Sequence, residues 1–119
     1  MSLVCKLALP LALWWFAVHP ASAQMGPSWD TYVTLTQGDM NLIRTILSDQ
    51  IHNKRPGTSV PWKNAESGNW GQVTLLKAFV RRGQKCEQIE YRMSPPQGTP
   101  SDRFVLTSCM QPDGKWKLS

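Results

Sequence analysis

In the middle of the chain, apolar residues recur with a helical period. Met40, Ile43, Ile46, Leu47 and Ile51 fall three to four positions apart and so share one face of a helical wheel. Thr36 with Asp39 three residues on has the form of a capping box, and Pro56-Gly57 closes the pattern, so the spacing predicts a helix over residues 36–53. Residues 24–35, with Gly26, Pro27 and Trp29, read as an irregular leader. Residues 54–71 are rich in Gly, Pro, Ser and Asn and read as a loop carrying Trp62 and Trp70.

From residue 72 onward the period changes to two, and turn signals divide the remainder into four expected strands. Arg81-Arg82-Gly83 suits a three-residue hairpin loop with a left-handed glycine at its end. Pairing Val80 with Gln84 then sets Lys77 against Glu87, Leu75 against Ile89 and Val73 against Tyr91. Pro112-Asp113-Gly114 has the same form and sets Met110 against Trp116. Placing Cys86 opposite Cys109 also sets Ile89 against Leu106 and Tyr91 against Phe104.

These registers agree on one apolar face: Val73, Leu75, Phe79, Ile89, Tyr91, Met93, Phe104, Leu106, Met110, Trp116 and Leu118. Gln88, Glu90, Arg92, Arg103, Thr107, Lys115 and Lys117 fall on the other. A slip of one residue in any hairpin would scatter that sorting. The expected fold is α+β, the helix packed on a four-stranded antiparallel β-meander. One conflict stands: Arg92 faces Arg103, which is unfavourable unless an acid such as Glu90 or a ligand lies between them.

The first 23 residues belong to another category. Lys6, an apolar run from Leu7 to Val18 and the small residues Ala21-Ser22-Ala23 have the form of a secretory signal peptide cleaved after Ala23. The competing reading is a membrane anchor or a buried helix, but the run is shorter than the roughly 20 residues a span needs and contains Pro10. Removing the leader takes Cys5 and one of the 13 lysines and arginines, so residues 24–119 form a single domain of net charge +4 in place of +5. Two cysteines in an exported chain imply one disulfide, Cys86 with Cys109. A lipid anchor would need a cysteine just after the apolar run, where Gln24 stands.

Three blocks carry a resemblance. Residues 61–73, Pro61-Trp62-Lys63-Asn64-Ala65-Glu66-Ser67-Gly68-Asn69-Trp70-Gly71-Gln72-Val73, are followed by Gly83-Gln84-Lys85-Cys86 and then by Ser108-Cys109-Met110-Gln111-Pro112-Asp113-Gly114-Lys115-Trp116. In this order they resemble the C-terminal domain of the 17 kDa surface antigen family of Gram-negative cell envelopes, with its W-x-N-x-x-[ST]-G-x-x-G loop, G-x-x-C hairpin and C-x-x-x-D-G-x-W ending. The resemblance implies an exported protein of the periplasm or outer membrane with a poorly defined activity. The lipobox cysteine and glycine zipper of many members have no counterpart here. The family's usual C-R is Cys86-Glu87, which replaces a cation by an anion.

Catalytic chemistry finds little to build on. His52, the one histidine outside the leader, is expected at the surface near the polar end of the helix, with no serine or free thiol placed beside it. Glu87 and Glu90 point to opposite faces of their strand, and Glu87 is expected to pair with Lys77. No metal or other cofactor is expected, since ligand clusters and phosphate-binding glycine motifs are missing from the sequence. Arg81, Arg82, Lys85, Arg92, Arg103, Lys115 and Lys117 read as a solvated basic face, so nucleic acid is not an expected partner.

Binding is the expected role, with Trp62, Asn64 and Trp70 on the loop and Arg92, Arg103 and Lys117 on the sheet as candidate residues, taking an envelope protein, a lipid headgroup or a glycan. The structural alternative is that Trp62 or Trp70 folds back over the end of the sheet. Two roles follow: a non-catalytic envelope module that is not lipid-anchored, or a small periplasmic enzyme regulator or inhibitor acting through residues 62–71. The oligomeric state is left open.

Overall fold

The computed structural model describes Thr31–Ser119. The expected signal peptide and the start of the leader lie outside the described residues. Helix α1 (Gln37–Ile46) begins at Thr36, whose extended backbone and side-chain oxygen cap it. Asp39 N donates to Thr36 Oγ1, and Thr36 N donates to Asp39 Oδ2, completing the expected capping box. The helix then widens into a π turn, Leu47–Ile51, and His52 ends it in extended backbone. Ile43, Ile46 and Ile51 are buried as the periodicity requires, whereas Met40 is exposed.

The described residues form a five-stranded antiparallel sheet in sequential order: β1 (Ser59–Lys63), β2 (Trp70–Arg81), β3 (Gln84–Ser94), β4 (Asp102–Met110) and β5 (Trp116–Leu118). Four strands were expected, and β1 is the addition. Part of the expected loop over residues 54–71 is strand, pairing Val60 with Val73 and Trp62 with Gly71. It forms because Val60 and Trp62 alternate inward and complete the core, Trp62 being 5% exposed. Proline in the middle of β1 and glycines on either side masked that alternation.

The other registers match closely. Cys86 pairs with Cys109, Ile89 with Leu106, Tyr91 with Phe104 and Met110 with Trp116. Val73 pairs with Tyr91 and Leu75 with Ile89 as expected, but nearer the turn the ladder is offset: Val80 pairs with Lys85, not Gln84, and Lys77 with Gln88, not Glu87. The hairpin loop is two residues, Arg82 and Gly83, both left-handed, and not three. A β-bulge between Leu75 and Lys77 takes up the difference. Its consequence is that Phe79 pairs with Cys86 on the bare face of the sheet, not on the apolar face where it was expected.

One face of the sheet is therefore covered. Ile43, Ile46 and Ile51 pack with Val33, Trp62, Val73, Leu75, Ile89, Tyr91 and Met93 into one core. Burial, with Glu87 nearby, pushes the Tyr91 phenol up to about 12, so it stays neutral. Among the described residues no helix is long and apolar enough to cross a membrane.

Candidate functional site

The loop of residues 64–69 turns inward. Asp39 is completely buried at the first turn of α1, and that loop supplies three donors to it. Asn64 Nδ2 and Ser67 Oγ reach Oδ1, and Asn69 Nδ2 reaches Oδ2, each at 2.8 Å. Gly38 permits this approach, since a Cβ there would stand 3.1 Å from Asn64 Nδ2. Burial alone would raise the Asp39 pKa, but the backbone bond from Thr36 and the three side-chain donors outweigh it and hold the carboxyl at about 2, below its ordinary 3.8. Asn64, a candidate ligand-binding residue, is thus occupied by an internal carboxylate.

The bare face of the sheet carries a different constellation. Arg92 pairs directly with Arg103, and Glu90 lies between them as the sequence required. Arg92 Nε donates to Glu90 Oε1 at 3.1 Å and Arg103 Nε to Oε2 at 2.6 Å. These bonds, Arg92's first, hold the Glu90 carboxyl below the ordinary carboxylate range against the opposing effect of burial. Glu90 is buried, whereas the two arginine side chains are 57% and 54% exposed. Trp70 stands diagonally across β2 and β3 from Arg92, 42% exposed, its Nε1 donating to Pro95 O at 3.1 Å. Trp70, Gln72, Arg92, Ser94, Ser101 and Arg103 line a groove of about 350 Å³.

Beside that groove, between Trp70 and Gln72, Gly71 is the position where no side chain fits, its Cβ direction lying on the covered face. A Cβ there would lie 1.9 Å from Arg92 O and 3.0 Å from Trp62 Nε1. Asp102 closes the far side, its carboxylate accepting from Tyr32 N and from Val33 N at 2.8 Å and so tying the segment before α1 to β4.

A third cluster joins the end of the helix to the sheet. His52 Nδ1 lies 2.6 Å from Glu87 Oε1, Asn53 N donates to Glu87 Oε2 at 2.9 Å, and the imidazole stacks on Trp116 with centroids 4.4 Å apart. Glu87 therefore pairs with His52 and not with Lys77, because the bulge carries Lys77 to the bare face while Glu87 stays on the covered one. His52, expected at the surface, has a side chain only 12% exposed.

Of the six candidate residues, the structure brings Trp70, Arg92 and Arg103 together. Trp62 is core, Asn64 belongs to the Asp39 cradle, and Lys117 pairs with Cys109 at the opposite end of the bare face. Sequence reasoning placed Asp39 in the capping box but missed its three loop donors, and it missed Asp102 and the His52–Glu87 pair, all joined to partners tens of residues away in the chain. The Cys86–Cys109 disulfide is formed. Among the described residues, no group of three or more His, Cys, Asp or Glu gathers where a metal ion would sit.

Residues 49–117 match the model of a family described as the 17 kDa outer membrane surface antigen. That is more than half of the chain, and the chain belongs to this family. A 17 kDa surface antigen of Rickettsia bellii is 40% identical over 63 residues, 52% of this chain and 38% of the relative. The protein of the same name from Rickettsia conorii is 35% identical over 85 residues, 71% of this chain and 52% of the relative. That of Rickettsia prowazekii is 28% identical over 81 residues, 67% and 50% respectively. The chain thus spans about half or less of the length of these curated relatives. No solved structure matches it. The matched segment includes the three donors around Asp39 and the disulfide, while Asp39 itself lies before it.

Proposed function

We propose that the chain is an exported module of the cell envelope, in the periplasm or at the outer membrane, that acts by binding another envelope component and not by turning over a substrate. Family membership supports the address, and a disulfide in a chain with a signal-like leader fits an oxidising compartment. The observation that carries the binding role is the bare sheet face, where Trp70, Arg92 and Arg103 share one groove with polar neighbours. The buried acids Asp39, Glu87 and Asp102 each fasten one structural element to another, an assignment that leaves them to architecture. Because residues 64–69 are turned toward Asp39, the contact surface is the sheet face and not the loop, which favours the module over the regulator.

A photoreactive residue at Gln72, on the bare face, tests this in cells, with one at Thr45 on the outer side of α1 as control. The expected result is a crosslinked product in the envelope fraction from position 72 alone, on a chain whose mass shows the leader removed, the disulfide intact and no lipid attached. A reduced chain in the cytosol with residues 1–23 still attached would overturn the export, and equal products from both positions would overturn the assigned face.

A further inference from the structure

We infer that the groove between Trp70 and the Arg92–Arg103 pair binds a sugar ring bearing an oxyanion, a phosphate or a carboxylate, as the acidic saccharides of an envelope do. This rests on the reading of the bare face as the binding surface, and names what that surface recognises. Both arginines give Nε to Glu90, so one buried carboxylate sets the planes of two guanidiniums and their terminal nitrogens remain for a second acceptor. Asp102 also lines the groove, so charge alone does not favour an anion; its carboxylate is taken by Tyr32 N and Val33 N, and the oxyanion's partners are the terminal guanidinium nitrogens. Planar forks of this kind bind phosphate and carboxylate by paired hydrogen bonds.

The indole sets the rest of the ligand. Trp70 is diagonal to Arg92 on the same face, and diagonal neighbours across antiparallel strands stand about 7–8 Å apart. That distance accommodates one pyranose lying against the ring with its charged substituent at the arginines. The indole is half-exposed yet held by its bond to Pro95 O, so a ligand need not order it. Gln72, Ser94 and Ser101 place amide and hydroxyl groups around the same space, suited to the hydroxyls of a sugar. Gly71, between Trp70 and Gln72, has its side-chain position on the covered face and adds no group to this surface. An acidic peptide would satisfy the arginines but would leave this ring of neutral polar groups without matching partners.

Amide and side-chain NMR of the oxidised chain tests the inference, following Trp70 Nε1–H and the Nε–H signals of Arg92 and Arg103. The probes are glucosamine 1-phosphate, glucuronic acid, glucose, inorganic phosphate and tetraglutamate. The two charged sugars are expected to shift all three signals saturably, with glucose and inorganic phosphate at least tenfold weaker. Preference for one of them identifies the oxyanion as phosphate or carboxylate. Trp70→Ala and Arg103→Lys, each checked for a folded spectrum, should weaken binding of the charged sugars about tenfold or more. Arg103→Lys keeps the charge and removes the fork, so it remains informative if Trp70→Ala does not fold. Inorganic phosphate binding as tightly as the sugar phosphate would show an ion site only, and tetraglutamate binding more tightly than either charged sugar would make the ligand a peptide. Either result, or no saturable shift with any probe, overturns the inference. A crosslink from position 72 to an envelope component would still uphold the binding module in that event.

Discussion

At the level of single residues, Asp39 shows how burial and hydrogen bonding compete. A carboxylate without access to water titrates high unless donors surround its charged form, and here Thr36, Asn64, Ser67 and Asn69 do so. With a folded pKa of about 2 against 3.8, the folded chain binds this proton less tightly than the unfolded one. The group's contribution, about 2 kcal/mol, is complete above about pH 5 and is lost as pH falls through 3.8 toward 2. Urea unfolding of the wild type should therefore lose stability over that window, and Asp39→Asn should flatten this part of the pH profile while lowering stability at pH 7 by about 2 kcal/mol or more. Gly71 is the second such position. A methyl group 1.9 Å from Arg92 O forces β2 away from β3, so Gly71→Ala should destabilise by about 3 kcal/mol or more in the same measurement.

The strands show which parts of the pattern could be read from sequence. Where apolar residues alternate without interruption, as over Ile89, Tyr91 and Met93 against Phe104 and Leu106, the register was legible to the residue. It was also legible at Val73 and Leu75, though for a mixed reason: the turn was taken one residue too long, and the extra residue at Leu76 cancels that difference. Nothing in the sequence marks a bulge there, because an exposed leucine within an apolar stretch looks like any other strand position. β1 was hidden by Pro61. The Arg92–Arg103 conflict pointed correctly to Glu90, and the alternative that Trp62 folds back holds, whereas the turn of residues 64–69 onto Asp39 was not legible because Asp39 lies 25 residues before Asn64. The bulge has a testable side. Deleting Leu76 leaves Leu75 paired with Ile89 and Lys77 with Gln88, every side chain on its present face, so its melting temperature should fall by no more than about 5 °C. Deleting Gln88 moves either Cys86 or Ile89 out of step with β4, so that chain should either show free thiols under native conditions or, with the disulfide formed, lose about 10 °C or more in melting temperature as Ile89 leaves the core.

Across the whole molecule, three ties hold the helix and its approach to the sheet: the Asp39 cradle at one end of α1, the His52–Glu87–Trp116 cluster at the other, and Asp102 on the preceding segment. The disulfide fastens β3 to β4 on the face the helix does not cover, joining cysteines 23 positions apart. Closing a loop of that length stabilises by roughly 3 kcal/mol in the chain-entropy account. Reduction should lower the melting temperature by about 10–20 °C, and Cys86→Ser should show the same loss without added reductant. The two outermost strands carry one more consequence. β5 is three residues long, and Pro61, which has no N–H, interrupts the five residues of β1. Among the described residues, neither rim offers an unbroken row of donors and acceptors for a neighbouring copy to extend the ladder. A crowded envelope is where such self-templating would do most harm, and Pro61→Val should reveal the safeguard as concentration-dependent association in sedimentation that the parent chain does not show.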